Sequence, residues 1–367
     1  MGELDAKANM KTRLEVGYRT RGRSSWTIGL AKFCVATFTL WSIGSVVMAQ
    51  ALERFEFTKP LLGTLVEVTL YAPTETVATE AAAAAFARIT ELNRILSDYN
   101  PESEVMRLCR TAGTGSKVEA SPELFEMLSR SASLSEATDG AFDVTISPVI
   151  KLWRVARKEL KLPDPQQLAT ARELVGWKNV KLDAKARTVE LLRPGMQLDF
   201  GGIAKGYIAE QARDVLTKRG LTRCLIAIGG DIAAGESPPE ADGWKIGVAP
   251  LDKVDGPPSR LLRLKNCSIS TAGDAFQFVE INGVRYSHIV DPKTGLGLTQ
   301  RCSVTVIATE GATADGLDTA IVLVGPERGL KLIEQSKGTA ALIVLAGDAG
   351  PSVRESPGFA KFVIQPE

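Results

Sequence analysis

The chain has 367 residues, of which 44% are hydrophobic and 24% are charged, a composition typical of a globular protein with a large core. Its 44 basic and 43 acidic residues leave a net charge of +1, and we find no long basic run. Proteins that bind nucleic acid carry a basic patch or stripe, so this balance argues against nucleic acid as a partner.

The first fifty residues differ from the rest of the chain. Residues 1–25 are polar and basic, and residues 26–51 are mostly apolar and end on Ala49-Gln50-Ala51. This order is typical of a secretory signal peptide, although the apolar length leaves an uncleaved membrane anchor open. Either way the basic end stays inside. We therefore expect residues 52–367 to form an exported domain, periplasmic or attached to the inner membrane facing the periplasm.

After residue 51, apolar periodicity and turn residues predict both strands and helices. In chain order the predictions are a strand over 64–70, helices over 74–97, 121–139 and 164–176, strands over 180–182 and 188–192, a helix over 203–219, strands over 223–228, 276–281, 284–289 and 302–308, helices over 312–324 and 327–337, and a strand over 340–345. Asn282-Gly283 is the strongest hairpin signal. Because hairpins outnumber βαβ units, the predicted fold class is α+β, a single domain of mixed topology with antiparallel hairpins and packed helices.

Three oxygen-bearing side chains lie at helical spacing within the predicted helix over 312–324. Asp315, Asp318 and Thr319 stand at i, i+3 and i+4, so a helix would place all three on one face. Two carboxylates and a hydroxyl are the hard ligands that Mg²⁺ or Ca²⁺ prefers. The alternative is a solvated helix face, with Asp315 favourable in the first turn.

A glycine pair precedes another predicted helix. Gly201-Gly202 leads into a first turn that contains Lys205, and free N–H groups at a helix N-terminus together with a lysine can bind an anion. The same glycines could also make only a tight strand-to-helix turn.

The chain contains one histidine, His288, at the end of a predicted hairpin strand and just before Asp291-Pro292. Histidine is the side chain whose ordinary pKa lies closest to neutrality, so imidazole-based proton transfer in this chain must use His288. A lone histidine is more often structural, but beside a metal–phosphate site it is a credible general base.

Seven segments together, in order and spacing, resemble the ApbE family of FAD:protein FMN transferases. They are Leu62-Gly63-Thr64, Ser97-Asp98-Tyr99-Asn100, Gly140-Ala141-Phe142-Asp143, the segment from Leu198 to Tyr207, Gly229-Gly230-Asp231, and the segments around His288 and Asp315. The resemblance implies that FAD binds, that Mg²⁺ holds its pyrophosphate, and that FMN moves to a threonine or serine hydroxyl of an acceptor protein while AMP leaves.

The resemblance also implies roles for individual residues. The implied Mg²⁺ ligands are the backbone oxygen of Gly202 and the side chains of Asp315, Asp318 and Thr319. The implied flavin contacts are Leu62, Tyr99, Ala141, Phe142, Asp143, Asp199, Lys205 and Ile289. His288 is implied in acceptor activation, with Asp318 as the rival base, and we expect Tyr99 and Phe142 to sandwich a flat ring unless they are ordinary core residues.

Two positions depart from the family pattern. Leu62 replaces the usual methionine, which conserves volume, and Cys109 replaces a frequent asparagine, which puts a polar contact there in doubt. The implied acceptor is a subunit of a membrane redox complex with a Ser/Thr-Gly-Ala-Thr/Ser-like motif. Two other functions stay open from sequence, namely an Mg²⁺-dependent FAD pyrophosphatase that yields FMN and AMP, and a non-catalytic exported flavin-binding protein.

Overall fold

A computed structural model describes residues 51–252, 256–275 and 277–365 of the chain. The predicted basic segment (residues 1–25) and all but the last residue of the predicted signal or anchor segment (26–51) lie outside these residues, so both stay predictions. Of the helices that are described, none has the length and apolar character needed to cross a membrane.

The described residues form eight α-helices and fifteen strands. The helices are α1 (Glu75–Leu96), α2 (Glu104–Cys109), α3 (Pro122–Ala137), α4 (Ser147–Glu159), α5 (Pro165–Glu173), α6 (Ala204–Lys218), α7 (Gly311–Val324) and α8 (Pro326–Gln335). The strands are β1 (Glu53–Leu61), β2 (Thr64–Ala72), β3 (Val118–Glu119), β4 (Val180–Asp183), β5 (Thr188–Leu191), β6 (Cys224–Ile228), β7 (Asp231–Ala234), β8 (Trp244–Val248), β9 (Arg260–Leu264), β10 (Cys267–Gly273), β11 (Phe278–Ile281), β12 (Val284–Ser287), β13 (Cys302–Ala308), β14 (Ala340–Leu345) and β15 (Ser352–Glu355).

Eight strands form one antiparallel sheet in the order β1-β2-β6-β7-β10-β13-β14-β15. The central strand β6 is buried along its whole length. Its residues Ile226 and Ile228 pack in the core beneath the helices, whereas Leu225 and Ala227 pack on the opposite face with residues of the β8–β9 hairpin. Because both faces are covered, the strand is a continuous apolar run rather than an alternating one.

Helices α1, α6 and α7 form the layer on one face of this sheet, with α1 against α6 and α6 against α7. The buried face of α1 includes the small residues Ala78, Ala81, Ala82 and Ala85, which allow a neighbouring helix to approach closely. Helix α7 lies over β10 and β13. This arrangement brings the start of α6 next to the first turns of α7.

A smaller core joins α4 and α5 to the β11–β12 hairpin. Val149 and Trp153 of α4 belong to the same buried cluster as Val279 and Ile281 of the hairpin, and Val290 joins it from the segment that follows. The position of residues 288–297 is therefore set by α4 and α5.

The architecture confirms the predicted α+β class, and several predicted elements begin as the sequence indicates. Ser121 and Asp164 cap α3 and α5. Asn282 (φ 51°) and Gly283 (φ 76°) both adopt the left-handed conformation that a tight hairpin turn requires. One prediction needs correction, because β12 ends at Ser287 and His288 therefore lies in the segment after the strand. The elements that were not predicted are helices α2 and α4 and strands β1, β3, β7, β8, β9, β10 and β15.

Candidate active site

The start of α6 and the first turn of α7 meet without intervening side chains. A Cβ atom at Gly206 would clash with the carbonyl of Gly311, and one at Gly311 would clash with the carbonyl of Gly206. The Gly206 N–H donates to Oδ2 of Asp315 at 2.9 Å. The sequence left two interpretations of this helix start open, a site for a ligand anion on free N–H groups and a simple tight turn. The Gly206 N–H is used by a carboxylate of the chain itself.

The four predicted metal ligands converge at this junction. A Cβ atom at Gly202 would lie 3.1 Å from Oγ1 of Thr319, so the backbone of Gly202 runs beside that hydroxyl. Asp315 and Asp318, one turn apart on α7, are 3% and 1% exposed. Both carboxylate oxygens of Asp318 are buried and have no hydrogen-bond partner, whereas buried polar atoms in native proteins are almost always paired.

Both carboxylates have a raised affinity for protons. Burial, followed by the charge of Asp231, raises the pKa of Asp315 to about 7, against the opposing effect of Lys205. Burial, followed by the charges of Asp315 and Asp231, raises the pKa of Asp318 well above its ordinary value. The nearby Ser270 hydroxyl would lower that pKa if it donated to Asp318, but it donates to Oδ1 of Asp231 at 2.6 Å. The cluster therefore has an excess of buried negative charge.

This surplus of unpaired carboxylate fits a divalent cation. Two carboxylates, a hydroxyl and a backbone carbonyl are an all-oxygen donor set suited to Mg²⁺ or Ca²⁺, and no sulfur or nitrogen ligand competes among them. Within the described ranges, no group of three or more His, Cys, Asp and Glu side chains could hold a metal ion by itself. A metal here would thus depend on the Thr319 hydroxyl and the Gly202 carbonyl as well as on the two aspartates.

Lys205 reaches this cluster through Asp231. Its ammonium group pairs with Oδ2 of Asp231, a side chain that is 1% exposed at the start of β7. Burial alone would lower the pKa of Lys205, but the charges of Asp231, Asp315 and Asp318 outweigh it and raise that pKa above its ordinary value. Lys205, which keeps 40% of its side chain exposed, is therefore a fixed cation at the edge of the cluster.

A second polar network lies on the Asp199 side of the glycine pair. Arg154 of α4 donates to Asp98 at 2.6 Å and to Asp199 at 3.0 Å, and its guanidinium carbon lies 4.0 Å from the centre of the Tyr99 ring. Tyr99 is 75% exposed. An exposed aromatic ring that already has a cation on one face can stack a flat ligand on its other face.

The turn from Asp199 to Gly202 lies between the Tyr99 network and the carboxylate cluster. Oδ1 of Asp199 accepts from the Gly201 N–H at 2.7 Å, and the Asp199 N–H donates to the Val144 carbonyl at 2.8 Å. The turn from Asp199 to Gly202 thus connects the Tyr99 network, the segment around residues 141–144 and the carboxylate cluster.

His288 is half-buried, and its Nδ1 lies 3.2 Å from the carbonyl oxygen of Gln277. Because a carbonyl can only accept, Nδ1 carries the proton of the neutral ring and Nε2 keeps a lone pair. Burial, followed by the charge of Arg157, lowers the pKa of His288 to about 4. The imidazole is therefore neutral near pH 7, and its Nε2 is unprotonated.

Comparison with known proteins agrees with this geometry. The sequence model of the ApbE family matches residues 62–343. The chain belongs to the ApbE family.

Individual relatives cover most of the chain. It is 29% identical to the FAD:protein FMN transferase of Treponema pallidum, over 87% of this chain and 91% of the relative. It is 31% identical to one from Klebsiella pneumoniae, over 79% and 89%. Among solved structures, the flavin transferase ApbE from Vibrio cholerae superposes with a TM-score of 0.75 at 26% identity, over 85% of this chain and 99% of that one. The apo form of the flavinyl transferase ApbE of Pseudomonas stutzeri superposes with a TM-score of 0.73 at 29% identity, over 85% of this chain and 97% of that one.

The remaining predicted flavin contacts of this ApbE-family chain differ in how exposed they are to a ligand. Leu62 is half-buried at the turn between β1 and β2, with φ 55°. Ala141 and Ile289 are 8% and 7% exposed. Phe142 is 4% exposed and packs in the main core, so it offers no open ring face to pair with Tyr99. Their ligand contacts stay predictions.

Asp143 already has its hydrogen bonds within the chain. Oδ1 accepts from the Thr145 N–H at 2.8 Å and from the Thr145 hydroxyl at 2.7 Å, and Oδ2 accepts from the Trp177 N–H at 2.9 Å. Burial raises its pKa, and these donors oppose the rise. The structure therefore gives Asp143 a role in holding the segment that carries Ala141 and Phe142.

Three site residues were not assigned a role from sequence. Asp231 was noted only as part of a glycine motif, and Arg154 and Arg157 were not noted at all. An Asp after two glycines and an arginine pair at i, i+3 were the only local signals, and neither identifies a partner. Their partners lie 26 to 131 residues away in sequence.

Proposed function

We propose that this chain transfers FMN from FAD, through a phosphoester bond, to a threonine or serine hydroxyl of an acceptor protein, with release of AMP and in the presence of Mg²⁺. The observation that carries the proposal is Asp318, whose two carboxylate oxygens are buried without a partner next to Asp315 and Lys205. The relatives named FAD:protein FMN transferase support the same reaction.

Gly202, Asp315, Asp318 and Thr319 are the residues that would hold the Mg²⁺. When bound, Mg²⁺ supplies charge neutralisation on the pyrophosphate of FAD, which is the main requirement of phosphoryl-transfer chemistry. Lys205 adds a fixed positive charge at the same edge. Asp231 holds that ammonium group in place, so Lys205 can contact a phosphate oxygen without a change of rotamer.

The Tyr99 network would receive the flavin end of FAD. Tyr99 presents an exposed ring, and Arg154 fixes its orientation while also pairing with Asp98 and Asp199. A ligand stacked there would extend along the Asp199–Gly202 turn toward the carboxylate cluster. Leu62, Ala141 and Ile289 are proposed as further contributors to this pocket, and Asp143 supports it indirectly by holding the segment that carries Ala141 and Phe142.

His288 is proposed as the general base. Its free Nε2 takes the proton of the acceptor hydroxyl as the hydroxyl oxygen forms a bond to the FMN phosphorus. The bond between that phosphorus and the bridging oxygen breaks, and AMP leaves with the bridging oxygen. Asp318 is the rival base, but as a proposed metal ligand its carboxylate is committed elsewhere.

We further propose that the acceptor is a flavoprotein subunit of a membrane redox complex, with a Ser/Thr-Gly-Ala-Thr/Ser-like motif. Residues 1–51 support an exported location, periplasmic or attached to the inner membrane facing the periplasm, because a basic segment followed by an apolar stretch and Ala49-Gln50-Ala51 is typical of exported proteins.

The experiment is an incubation of the full chain with FAD, Mg²⁺ and a protein bearing the acceptor motif, followed by the intact mass of that protein. We expect a gain of one FMN phosphoryl unit, and loss of the gain with EDTA or in Asp315→Ala. Free AMP without a mass gain would indicate an FAD pyrophosphatase instead. Bound FAD with neither product would indicate a flavin-binding protein without turnover.

A further inference from the structure

The segment that carries His288 is held by side chains from α4 and α5. The indole Nε1 of Trp153 donates to the Gly295 carbonyl at 2.7 Å, Arg157 donates to the His288 carbonyl at 3.2 Å, and Arg172 donates to the Lys293 carbonyl. Gly295 (φ 71°) packs so closely that a Cβ atom would lie 2.9 Å from side-chain atoms of Leu168 and Arg172. Three donors on two helices therefore fix the backbone on either side of the Asp291 turn.

Arg157 differs from the other arginine of the site. Arg154, one turn earlier on α4, is paired with Asp98 and Asp199. Among the described residues no carboxylate pairs with Arg157, and its Nε is buried without a hydrogen-bond partner. A half-buried cation without a counter-ion is unfavourable, so this placement requires a reason other than stability.

The imidazole of His288 faces charged groups from three parts of the chain. Arg157 on α4 and Lys205 on α6 are the cations whose charge reaches it, and Asp274, just after β10, is the anion. Arg157 is the strongest of the three, and Asp274 is itself paired with Arg285 at 2.8 Å. The charge around the ring is thus predominantly positive, and this disfavours the imidazolium form.

We propose that Arg157 is a positioning residue for His288, which fixes the His288 backbone through its carbonyl and keeps a positive charge beside the imidazole. The proposal rests on the proposed role of His288 in FMN transfer. Arg157 is assigned no contact with the acceptor or the phosphorus, and it acts through the orientation of the ring and through the preference of Nε2 for its unprotonated state.

The test is a proton NMR titration of His288 in the full chain. Because the chain has one histidine, a single imidazole resonance reports it directly, provided that the purification tag contains none. We expect the wild type to titrate near pH 4, well below the ordinary 6.5. In Arg157→Gln we expect the midpoint to rise by about one pH unit or more, because the neighbouring charge is removed.

Two matched variants separate this role from general support of the segment. Arg172→Gln removes an arginine–carbonyl contact five residues further along the same segment and should leave the His288 midpoint unchanged. Arg157→Lys keeps the charge and should keep the midpoint close to that of the wild type. In an FMN-transfer assay, the acid limb of the pH–rate profile of Arg157→Gln should shift to higher pH by the same amount as the NMR midpoint.

An unchanged midpoint in Arg157→Gln would overturn the proposal, and so would an equal rise in Arg172→Gln. If Arg157→Gln does not fold, Arg157→Met, which keeps an unbranched apolar stem, replaces it. If the His288 midpoint rises in Arg157→Gln but the wild type transfers no FMN, the proposed function is rejected and the electrostatic role of Arg157 stands.

Discussion

Two buried aspartates of this molecule, Asp143 and Asp318, have opposite surroundings. Asp143 is 7% exposed and accepts three hydrogen bonds from Thr145 and Trp177. Asp318 is 1% exposed, and neither of its oxygens has a partner. Burial alone therefore does not distinguish the two carboxylates. Their hydrogen bonding does, and the unmet hydrogen-bonding capacity of Asp318 is the reason for proposing it as a cation ligand.

The largest expected effect follows from Asp318→Asn. The variant removes a proposed ligand, so Mg²⁺-dependent transfer should fall by about a thousandfold, the equivalent of several kcal/mol of transition-state stabilisation. The metal-free variant should melt at a higher temperature than the wild type, because a buried carboxylate without a partner is gone. Transfer rates and melting curves in EDTA check both parts. A lower melting temperature in EDTA would show that Asp318 is stabilising in the chain by itself.

His288 should give the next largest effect. In His288→Asn, transfer should fall by about a hundredfold or more, as expected for loss of a general base, while FAD binding measured by flavin fluorescence stays intact. Full activity in this variant would remove His288 from the mechanism.

The pH dependence of transfer and of stability in the wild type also tests the role of His288. The depressed pKa of about 4 keeps the imidazole neutral above that pH, so the His288 contribution to the acid limb should lie well below 6.5. Stability should also decrease as pH falls from 6.5 toward 4, because the unfolded chain takes up a proton there that the folded chain does not. A transfer profile limited by a group at 6.5, and absent in His288→Asn, would contradict the depressed pKa.

Asp143→Asn tests the buried aspartate whose oxygens are hydrogen-bonded within the chain, in contrast to Asp318→Asn. Replacing one acceptor oxygen by an NH₂ group breaks part of the network to Thr145 and Trp177, and this should lower the free energy of unfolding by about 1–3 kcal/mol. Denaturant unfolding measures it. Transfer by the fraction that remains folded should stay within a few-fold of the wild type, and a loss as large as that in Asp318→Asn would place Asp143 in direct contact with FAD.

The smallest effect concerns Tyr99. Tyr99→Ala should weaken FAD binding by roughly tenfold, the value of one aromatic stacking contact, with little change in stability because the ring is exposed. Tyr99→Phe should bind like the wild type. Phe142→Ala makes the contrast, since removal of a core ring costs about 3–5 kcal/mol of stability. Equal FAD affinity in Tyr99→Ala and the wild type would exclude stacking at Tyr99.

The fold was predictable from sequence where the signal is local. The Asn282-Gly283 turn, the Ser121 and Asp164 caps and the alanine-rich α1 all depend on neighbouring residues only. Strand β1 was missed because it is an edge strand with mostly exposed residues and a proline, a pattern that resembles a loop. Helix α4 was missed although its polar and apolar faces are distinct and Ser147-Pro148 opens it directly after a short 3₁₀ turn.

In the site, too, the features with a local sequence signal were predictable and those that depend on tertiary packing were not. The spacing of Asp315, Asp318 and Thr319 on one helix face predicted a ligand set, which stays a prediction. The close approach of Gly202 to Thr319 follows from the packing of α6 on α7. The occupation of the α6 start by Asp315 could not be predicted, since it depends on how two helices cross whose hydrogen-bonded residues are 101 and 109 apart in sequence. The same holds for Arg157 and His288, whose contact spans 131 residues.

The central claim is that the unpartnered carboxylate of Asp318 is a cation ligand. Isothermal titration of Mg²⁺ into the FAD-loaded full chain tests it most directly, with Asp143→Asn as the matched control for loss of a buried carboxylate. The account predicts binding of one Mg²⁺ in the wild type and in Asp143→Asn, and none in Asp318→Asn. Equal Mg²⁺ affinity in Asp318→Asn and the wild type would contradict it.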